Sequence, residues 1–294
     1  MIDRFTPIHD PKDPQIAPYR NQKDAWLKAA HNPDSIGQPK KDPLFISEGA
    51  LVLQHHLNSP YKLHSVLIDQ SKTKTHATLL NQIPNQVPIY TAPRPILDQI
   101  TGYPIHRGLL AAGHRTPQSE EPDINTLLQS ARALVILEDL ANHDNLGSVF
   151  RSTAALCGTT SAQTVPIILS PKCCDPLYRK SLRVSMGHAL TIPFLQIQNQ
   201  SHWLPTLTTI KTAGFQTLAL TPQSDAININ TLPQNQPPHT KYALILGAEG
   251  PGLTQQTIHT SDLKVKIPLA TSADSLNISV AAAVALHRLI PPIG

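Results

Sequence analysis

The chain has 294 residues, 40% hydrophobic and 4% aromatic, enough apolar material for a core and more in keeping with two domains than one. A formal net charge of +4 is compatible with a polyanionic partner but diagnostic of none. No run of about 18 apolar residues occurs, so no membrane span is expected, and the opening MIDRFTPIHDPKDPQ lacks the apolar core of a secretion signal. Cys157, Cys173 and Cys174 form neither a disulfide framework nor a C-x-x-C pair, which points to reduced thiols in a cytoplasmic protein.

Residues 1–40 are proline-rich and polar and read as an N-terminal arm with one amphipathic piece at 24–30 (DAWLKAA). Its Lys12, Arg20, Lys23, Lys28, Lys40 and Lys41 suit either a solvated tail or phosphate contacts. Residues 41–115 read as a small α/β domain. Strands are expected at 44–46, 63–69, 87–90 and 108–112, and helices at 48–57, after 69 and at 93–100, with helices on both faces of the sheet. His55 and His56 have no partner at metal spacing, so no metal site is expected. Residues 116–131, acidic and proline-containing, read as a linker ending in a short helix.

From 132 onwards strands and helices alternate. Strands are expected at 133–137, 165–169, 190–194, 217–220, 242–246 and 263–267. Helices are expected from the loop 138–144 through Cys157 with Gly158 as C-cap, at 203–213, and at 276–289 before Pro291 and Pro292. A polar proline-rich loop spans 221–241.

The two strands 242–246 and 263–267 each feed a loop of small residues: Gly247, Glu249, Gly250, Pro251 and Gly252 in the first, Pro268, Thr271, Ser272, Asp274, Ser275 and Asn277 in the second. Ligands of open α/β sheets sit at the carboxyl ends of strands, and glycines admit close backbone approach, so the spacing predicts a small-molecule or nucleotide site. A third candidate stretch is 145–151. Asn145 can cap the helix that starts there, and capping can be all that it does. Gly147 admits a neighbouring backbone or a ligand. Arg151, near a helix N-terminus, opposes the helix dipole, and gripping an anion would explain it. Ser275 can equally be a helix cap, and Glu249 a brace for its loop. Neither G-x-G-x-x-G after an early strand nor G-x-x-x-x-G-K-[ST] is present, which argues against dinucleotide-dependent oxidoreductases and P-loop enzymes.

Taken together and in order, N-x-G-x-x-x-R at 145–151, LGAEGPGL at 246–253 and IPLATSADSLNISVAAA at 267–283 resemble the three motifs of SpoU-type (TrmH-like) RNA 2′-O-ribose methyltransferases of the SPOUT class. The resemblance covers 132–294. Residues 43–115, through FISEG and PIHRGLLAAG, also look like the ribosomal-protein-like RNA-binding domain many members carry in front, and CCDPLYRKSLRVSMG resembles a loop of bacterial members. The implied fold is α/β: a C-terminal trefoil-knotted methyltransferase domain at 132–294 with a mostly parallel sheet, preceded by that small α/β domain. The implied cofactor is S-adenosylmethionine, held at Leu246, Gly247, Gly250, Ile267, Leu269 and Leu276, with no metal. Arg151 would act at the target ribose, with Asn145, Glu249, Ser275 and Asn277 completing the site. Implied partners are ribosomal or transfer RNA and a second copy of the chain in a homodimer that places both subunits at the active site, with Arg94, Arg107 and Arg115 as candidate RNA contacts. A non-catalytic RNA-binding protein of the same fold is the alternative. The family's usual Met and Gly after Ile-Pro are replaced by Leu269 and Thr271.

Overall fold

The computed structural model describes residues 4–20, 23–28, 43–105, 107–115, 123–158, 163–233, 241–270 and 273–292. It divides into two compact units, Met1–Glu120 with Leu177–Thr191, and Glu121–Pro176 with Ile192–Gly294. No helix among the described residues is long and apolar enough to cross a membrane.

In the first unit, β1 (Phe5–Pro7), β2 (Leu44–Glu48), β3 (Leu63–Asp69), β4 (Ile89–Ala92) and β5 (Leu109–His114) form a sheet in the order β1-β4-β3-β5-β2. β1, β4 and β3 run parallel, and β5 runs antiparallel to β3 and β2. Alternation sends Val66 and Ile68 of β3 to one face and Leu67 to the other, and splits Leu109 and Ala111 from Leu110 and Ala112 in the same way. Both faces are therefore apolar and both are covered. α2 (Ala50–Leu57) and α3 (Ala77–Leu80) supply Leu53 and Leu80 to one core, and α4 (Arg94–Thr101) supplies Leu97 and Ile100 to the other.

Two expectations are corrected here. The N-terminal segment is no free arm: β1 is an edge strand, where Pro7 costs no ladder bond, and Ile8, Ile16 and Tyr19 are buried beneath the sheet. The Tyr19 hydroxyl bonds to Ser65 Oγ at 2.8 Å and accepts from the Ala112 amide at 3.2 Å. α1 (Asp24–Lys28) follows, while Lys40 and Lys41 lie outside the described residues. Residues 177–191, expected within the C-terminal domain, belong to the first unit. Their helix α7 (Arg179–Val184) packs on β2, the Arg179 amide donates to Asp24 Oδ1 at 3.2 Å, and the Arg179 guanidinium lies 4.4 Å from the Tyr103 ring centre.

The second unit is a seven-stranded, wholly parallel sheet in the order β10-β12-β9-β11-β6-β7-β8, built from β6 (Leu134–Glu138), β7 (Ile167–Leu169), β8 (Phe194–Gln196), β9 (Phe215–Leu220), β10 (Ile227–Asn228), β11 (Lys241–Gly247) and β12 (Leu263–Lys266). Its central strands are near-continuous apolar runs because both faces are covered. α8 (Trp203–Thr212) sets Trp203, Leu207 and Ile210 against Leu134 and Ile136, and α5 (Ile124–Ser130) adds Leu127 and Leu128. The second half of the expected linker is thus core, while its first half, 116–122, lies outside the described residues. α6 (His143–Cys157) and α10 (Ile278–Leu289) pack on one another, and α10 also meets β11. Ala282 and Ala285 are fully buried, which small side chains permit at close approach. Arg132 fastens the far end of this pair, donating to the Cys157 carbonyl at 2.6 Å and the Pro291 carbonyl at 2.8 Å. The strand expected at 190–194 begins instead at Phe194, because Pro193 has no N–H to give to a ladder. α9 (Gln255–Thr260) and β10 were not legible as periodic runs.

His56 in α2 is 1% exposed, its Nδ1 lies 3.1 Å from Ser47 Oγ, and burial pushes its pKa down to about 4. A folded pKa below the unfolded value means the unfolded chain takes up the proton first, so this contribution is complete above about pH 6.5 and is lost as pH falls towards 4. Urea unfolding should therefore show the wild-type chain losing about 2 kcal/mol more than His56→Phe between pH 6.5 and 4.5; equal losses would refute this.

Candidate active site

β6 and β11 are neighbours, with Gly247 opposite Glu138, so the segments that follow them leave the same edge of the sheet together. β12 stands one strand away, beyond β9. The two small-residue loops thus do not spring from adjacent strands; a side chain brings them together.

That side chain is Asn277. It is the N-cap of α10, its Oδ1 accepting from the Ser279 amide at 2.9 Å and the Ser279 hydroxyl at 2.6 Å. Its Nδ2 donates to Asn145 Oδ1 at 3.0 Å and to Glu249 Oε1 at 2.8 Å. The oxygen end therefore caps the helix, a role that Ser275 could equally have filled, and the nitrogen end ties the other two motifs to the third. Ser275 precedes the helix, exposed, and makes no hydrogen bond among the described residues.

Asn145 does not cap α6. Asn142 does, accepting from the amides of Asp144 at 2.8 Å and Asn145 at 3.3 Å. Asn145 lies inside the first turn, 7% exposed, where its amide is free to meet Asn277. Arg151 is not part of this group. Six residues on, it stands about 9 Å along the axis and about a third of a turn round, exposed and without a hydrogen bond or ion pair among the described residues.

The loop after β11 is folded back on itself. The Gly252 amide donates to the Ala248 carbonyl at 2.9 Å, and a Cβ on Gly247 would stand 2.2 Å from the Gly252 carbonyl carbon and 2.3 Å from the Leu253 nitrogen. Glycine at 247 is thus demanded by the loop's own backbone. Gly250 and Gly252 have φ of +87° and +69° with open space where a side chain would go, so backbone there stays accessible to a ligand. Leu246 is buried, Ile267 and Leu269 are half-buried, and Leu276 is 38% exposed. Exposed backbone beside partly exposed aliphatic side chains suits a ligand with both polar edges and apolar faces. Thr271 lies outside the described residues.

Glu138 was missed in the sequence. It is 2% exposed and accepts four hydrogen bonds: on Oε1 from Trp203 Nε1 at 3.0 Å, Thr254 Oγ1 at 2.9 Å and Thr257 Oγ1 at 2.7 Å, and on Oε2 from the Thr254 amide at 2.9 Å. A carboxylate ending the apolar run ALVIL is the signal that could have found it. The next residue, Asp139, turns the chain at φ +57°, with its Oδ1 accepting from Ser170 Oγ at 2.7 Å. Cys173 lines this corner, accepting from the Leu140 amide at 3.3 Å. Burial pushes the Cys157 thiol up to about 11 and the Cys174 thiol to about 12, and raises that of Cys173, so none is a thiolate nucleophile near neutrality. No group of three potential metal-ligating side chains occurs among the described residues.

Residues 132–287 match the sequence model of the SpoU rRNA Methylase family. An uncharacterized tRNA/rRNA methyltransferase of Mycobacterium tuberculosis is 34% identical over 284 residues, spanning 96% of this chain and 90% of that one. A 23S rRNA (guanosine-2′-O-)-methyltransferase of Acinetobacter baylyi is 32% identical over 213 residues, 70% of this chain and 79% of its own length. Among solved structures, an AdoMet-bound rRNA methyltransferase from Sinorhizobium meliloti has a TM-score of 0.72 at 17% identity, covering 97% of both chains. The SpoU methyltransferase AviRb from Streptomyces viridochromogenes, in complex with AdoMet, has a TM-score of 0.69 at 19% identity, covering 93% of this chain and 95% of its own.

The two roles of Asn277 can be separated by substitution. Asn277→Ala should lower stability by about 1 kcal/mol through loss of the cap. Asn277→Ser keeps a capping oxygen and loses only the bonds to Asn145 and Glu249, so its urea midpoint should stay closer to wild type. Equal midpoints for the two variants would show that the cap is not what Asn277 contributes to stability.

Proposed function

This chain belongs to the SpoU rRNA Methylase family, and we propose that it is a cytoplasmic enzyme that transfers a methyl group from S-adenosylmethionine to a ribose 2′-hydroxyl of structured RNA, ribosomal RNA first and transfer RNA second. The observation that carries the reading is the meeting of Asn145, Glu249 and Asn277, one from each motif, in a single hydrogen-bonded group at the carboxyl edge of the sheet. The relatives' names point to the same reaction class.

S-adenosylmethionine, when bound, supplies a sulfonium methyl that is already electrophilic. The residues that would hold it are Leu246, Gly247 and Gly250, with open backbone at Gly250, and Ile267, Leu269 and Leu276 through apolar contact. What remains for the chain is to orient the ribose and stabilise the charge that develops on its oxygen. Arg151 suits that role, because its guanidinium is unengaged by described residues and can grip a phosphate with two parallel bonds. A guanidinium is a donor-only group, so it serves as an electrostatic clamp and not as a base. The Asn277 amide fixes the Glu249 carboxylate and Asn145 relative to one another, and Ser275, exposed beside them, is within the same proposed site.

The first unit is proposed as the ribosomal-protein-like domain that binds RNA by shape and phosphate contacts. Lys72, Arg94 and Arg107 stand at one edge of its sheet, next to the carboxyl ends of β3, β4 and β2. Arg115 is at the opposite edge, with its Nε donating to the Leu44 carbonyl at 3.1 Å, so it is the weakest of the three arginine candidates. A trefoil knot is supported by the insertion of β11 between β6 and β9 and the return of α10 to α6. A homodimer is supported by Val280 and Val284, four apart on α10 and 47% and 39% exposed, with Leu276, 38% exposed, just ahead of the helix cap, apolar side chains that the chain presents to solvent.

Methyl transfer from radiolabelled S-adenosylmethionine to unmodified ribosomal and transfer RNA, followed by digestion to nucleosides, tests the reaction. Label is expected in a 2′-O-methylated nucleoside, with kcat/KM reduced about a hundredfold or more in Arg151→Ala. Label on a base would overturn the chemistry, and cofactor binding without transfer to any RNA would leave a non-catalytic RNA-binding protein. For the dimer, sedimentation velocity should give twice the 32.1 kDa chain mass, falling to the single-chain mass in Val280→Lys/Val284→Lys; a monomeric wild type would refute it.

A further inference from the structure

The buried carboxylate of Glu138 has no part in the reaction just proposed, yet it stands where the two arms of that site begin. Its backbone is the last residue of β6 and opens the segment that turns at Asp139 and leads to Asn145. Its side chain reaches across to the far end of the segment that carries Gly247–Gly252 and Glu249. There it takes the Thr254 amide on Oε2, and the hydroxyls of Thr254 and Thr257 with the Trp203 indole N–H on Oε1. Burying a carboxylate with no cation beside it is a costly way to fill a core, and among the described residues none pairs with it. Its return is direction: four donors from three residues converge on two oxygens, and charge-assisted bonds of this kind are the stronger ones.

The donor set also explains why an amide is a poorer partner. A carboxylate only accepts, whereas an amide carries an NH₂ group. In one orientation that group faces the Thr254 N–H, which is left unpaired, and in the other the Trp203 N–H keeps only its second acceptor, Thr257 Oγ1 at 3.0 Å, so the convergence is weakened either way. Backbone contact between Gly247 and Gly252 closes the loop on itself, and the bond from Asn277 to Glu249 ties its middle to the start of α10. The bond from Thr254 to Glu138 is what ties that closed loop to the strand from which Asn145 departs.

We infer that Glu138 is a positioning residue of the proposed methyl-transfer site, setting the Gly247–Gly252 loop and Glu249 against Asn145 and Asn277 through its bonds to Thr254, Thr257 and Trp203. The inference rests on the methyltransferase reading, deepens it, and predicts a selective defect: the loop that would hold the cofactor loosens while RNA binding is spared.

The test uses the full chain with Glu138→Gln and Glu138→Asp, and with Thr257→Val as a milder variant in case either fails to fold. S-adenosylmethionine affinity is read by calorimetry, KM for RNA and kcat by methyl transfer, and amide exchange over 247–257 by mass spectrometry without cofactor. Glu138→Gln is expected to raise the S-adenosylmethionine Kd tenfold or more and to speed exchange of the loop amides at least tenfold, with KM for RNA within twofold of wild type. Glu138→Asp, still acceptor-only, should recover part of the affinity, and Thr257→Val should shift Kd in the same direction by about threefold. A folded Glu138→Gln chain with unchanged cofactor Kd, or with cofactor and RNA binding weakened alike, would overturn the inference. A wild-type chain that binds no S-adenosylmethionine would sink the methyltransferase reading instead, and the exchange rates would still decide whether Glu138 holds the loop.

Discussion

The proposed site depends on one side-chain amide being used at both ends. The oxygen of Asn277 starts α10, and its nitrogen bridges Asn145 and Glu249. A residue that only capped the helix would leave the loop after β11 unconnected to α6, and a residue that only bridged would leave the first turn of α10 with unpaired amides. Because the same atom set does both, the start of the last helix and the convergence of the three motifs are one structural event. That event is possible only because the sheet is parallel, so that β6, β11 and β12 all release their loops at the same edge.

Backbone constraint does the rest of the shaping. Gly247 lets the chain double back until its own carbonyl and amide atoms touch, and Gly250 and Gly252 keep the returning limb in the left-handed region. The corner at Asp139 stores a similar departure in a residue that is not glycine, held by Ser170 and by the side chain of Cys173. Left-handed backbone away from glycine persists only where its surroundings over-determine it. Here it turns the chain directly after a buried strand, between Glu138 and the helix that carries Asn145 and Arg151.

The first unit is organised differently. Its sheet is small and apolar on both faces, and it recruits cover from three distant stretches: the N-terminal residues around Ile16 and Tyr19, its own helices, and the segment Leu177–Thr191. Gly113 illustrates how closely this core is filled, since a Cβ there would fall 2.4 Å from the Phe45 ring and 2.5 Å from His56. Interiors packed to this density leave little room for relaxation.

Local features of this protein follow from its amino-acid sequence alone, because periodicity and turn chemistry act over a few residues. The strand at Leu63–Asp69, the helix ending at Cys157 with Gly158 behind it, and the glycine loop after β11 were all legible as patterns. So were the three motifs that assign the family. Features that depend on contacts between distant residues were settled by the folded chain. That Asn142 and not Asn145 caps α6, and that Asn277 and not Ser275 caps α10, follows from where the chain bends and not from residue type. That Arg151 stands apart from the Asn145–Glu249–Asn277 group is a matter of helical phase against a neighbouring helix. The N-terminal segment and residues 177–191 lacked a strong apolar rhythm of their own, because each needs only a few side chains to cover a sheet built elsewhere. Glu138 was the most hidden of all: a lone charge at the end of an apolar run acquires meaning only when its four donors, from residues 65 to 119 positions away, arrive around it.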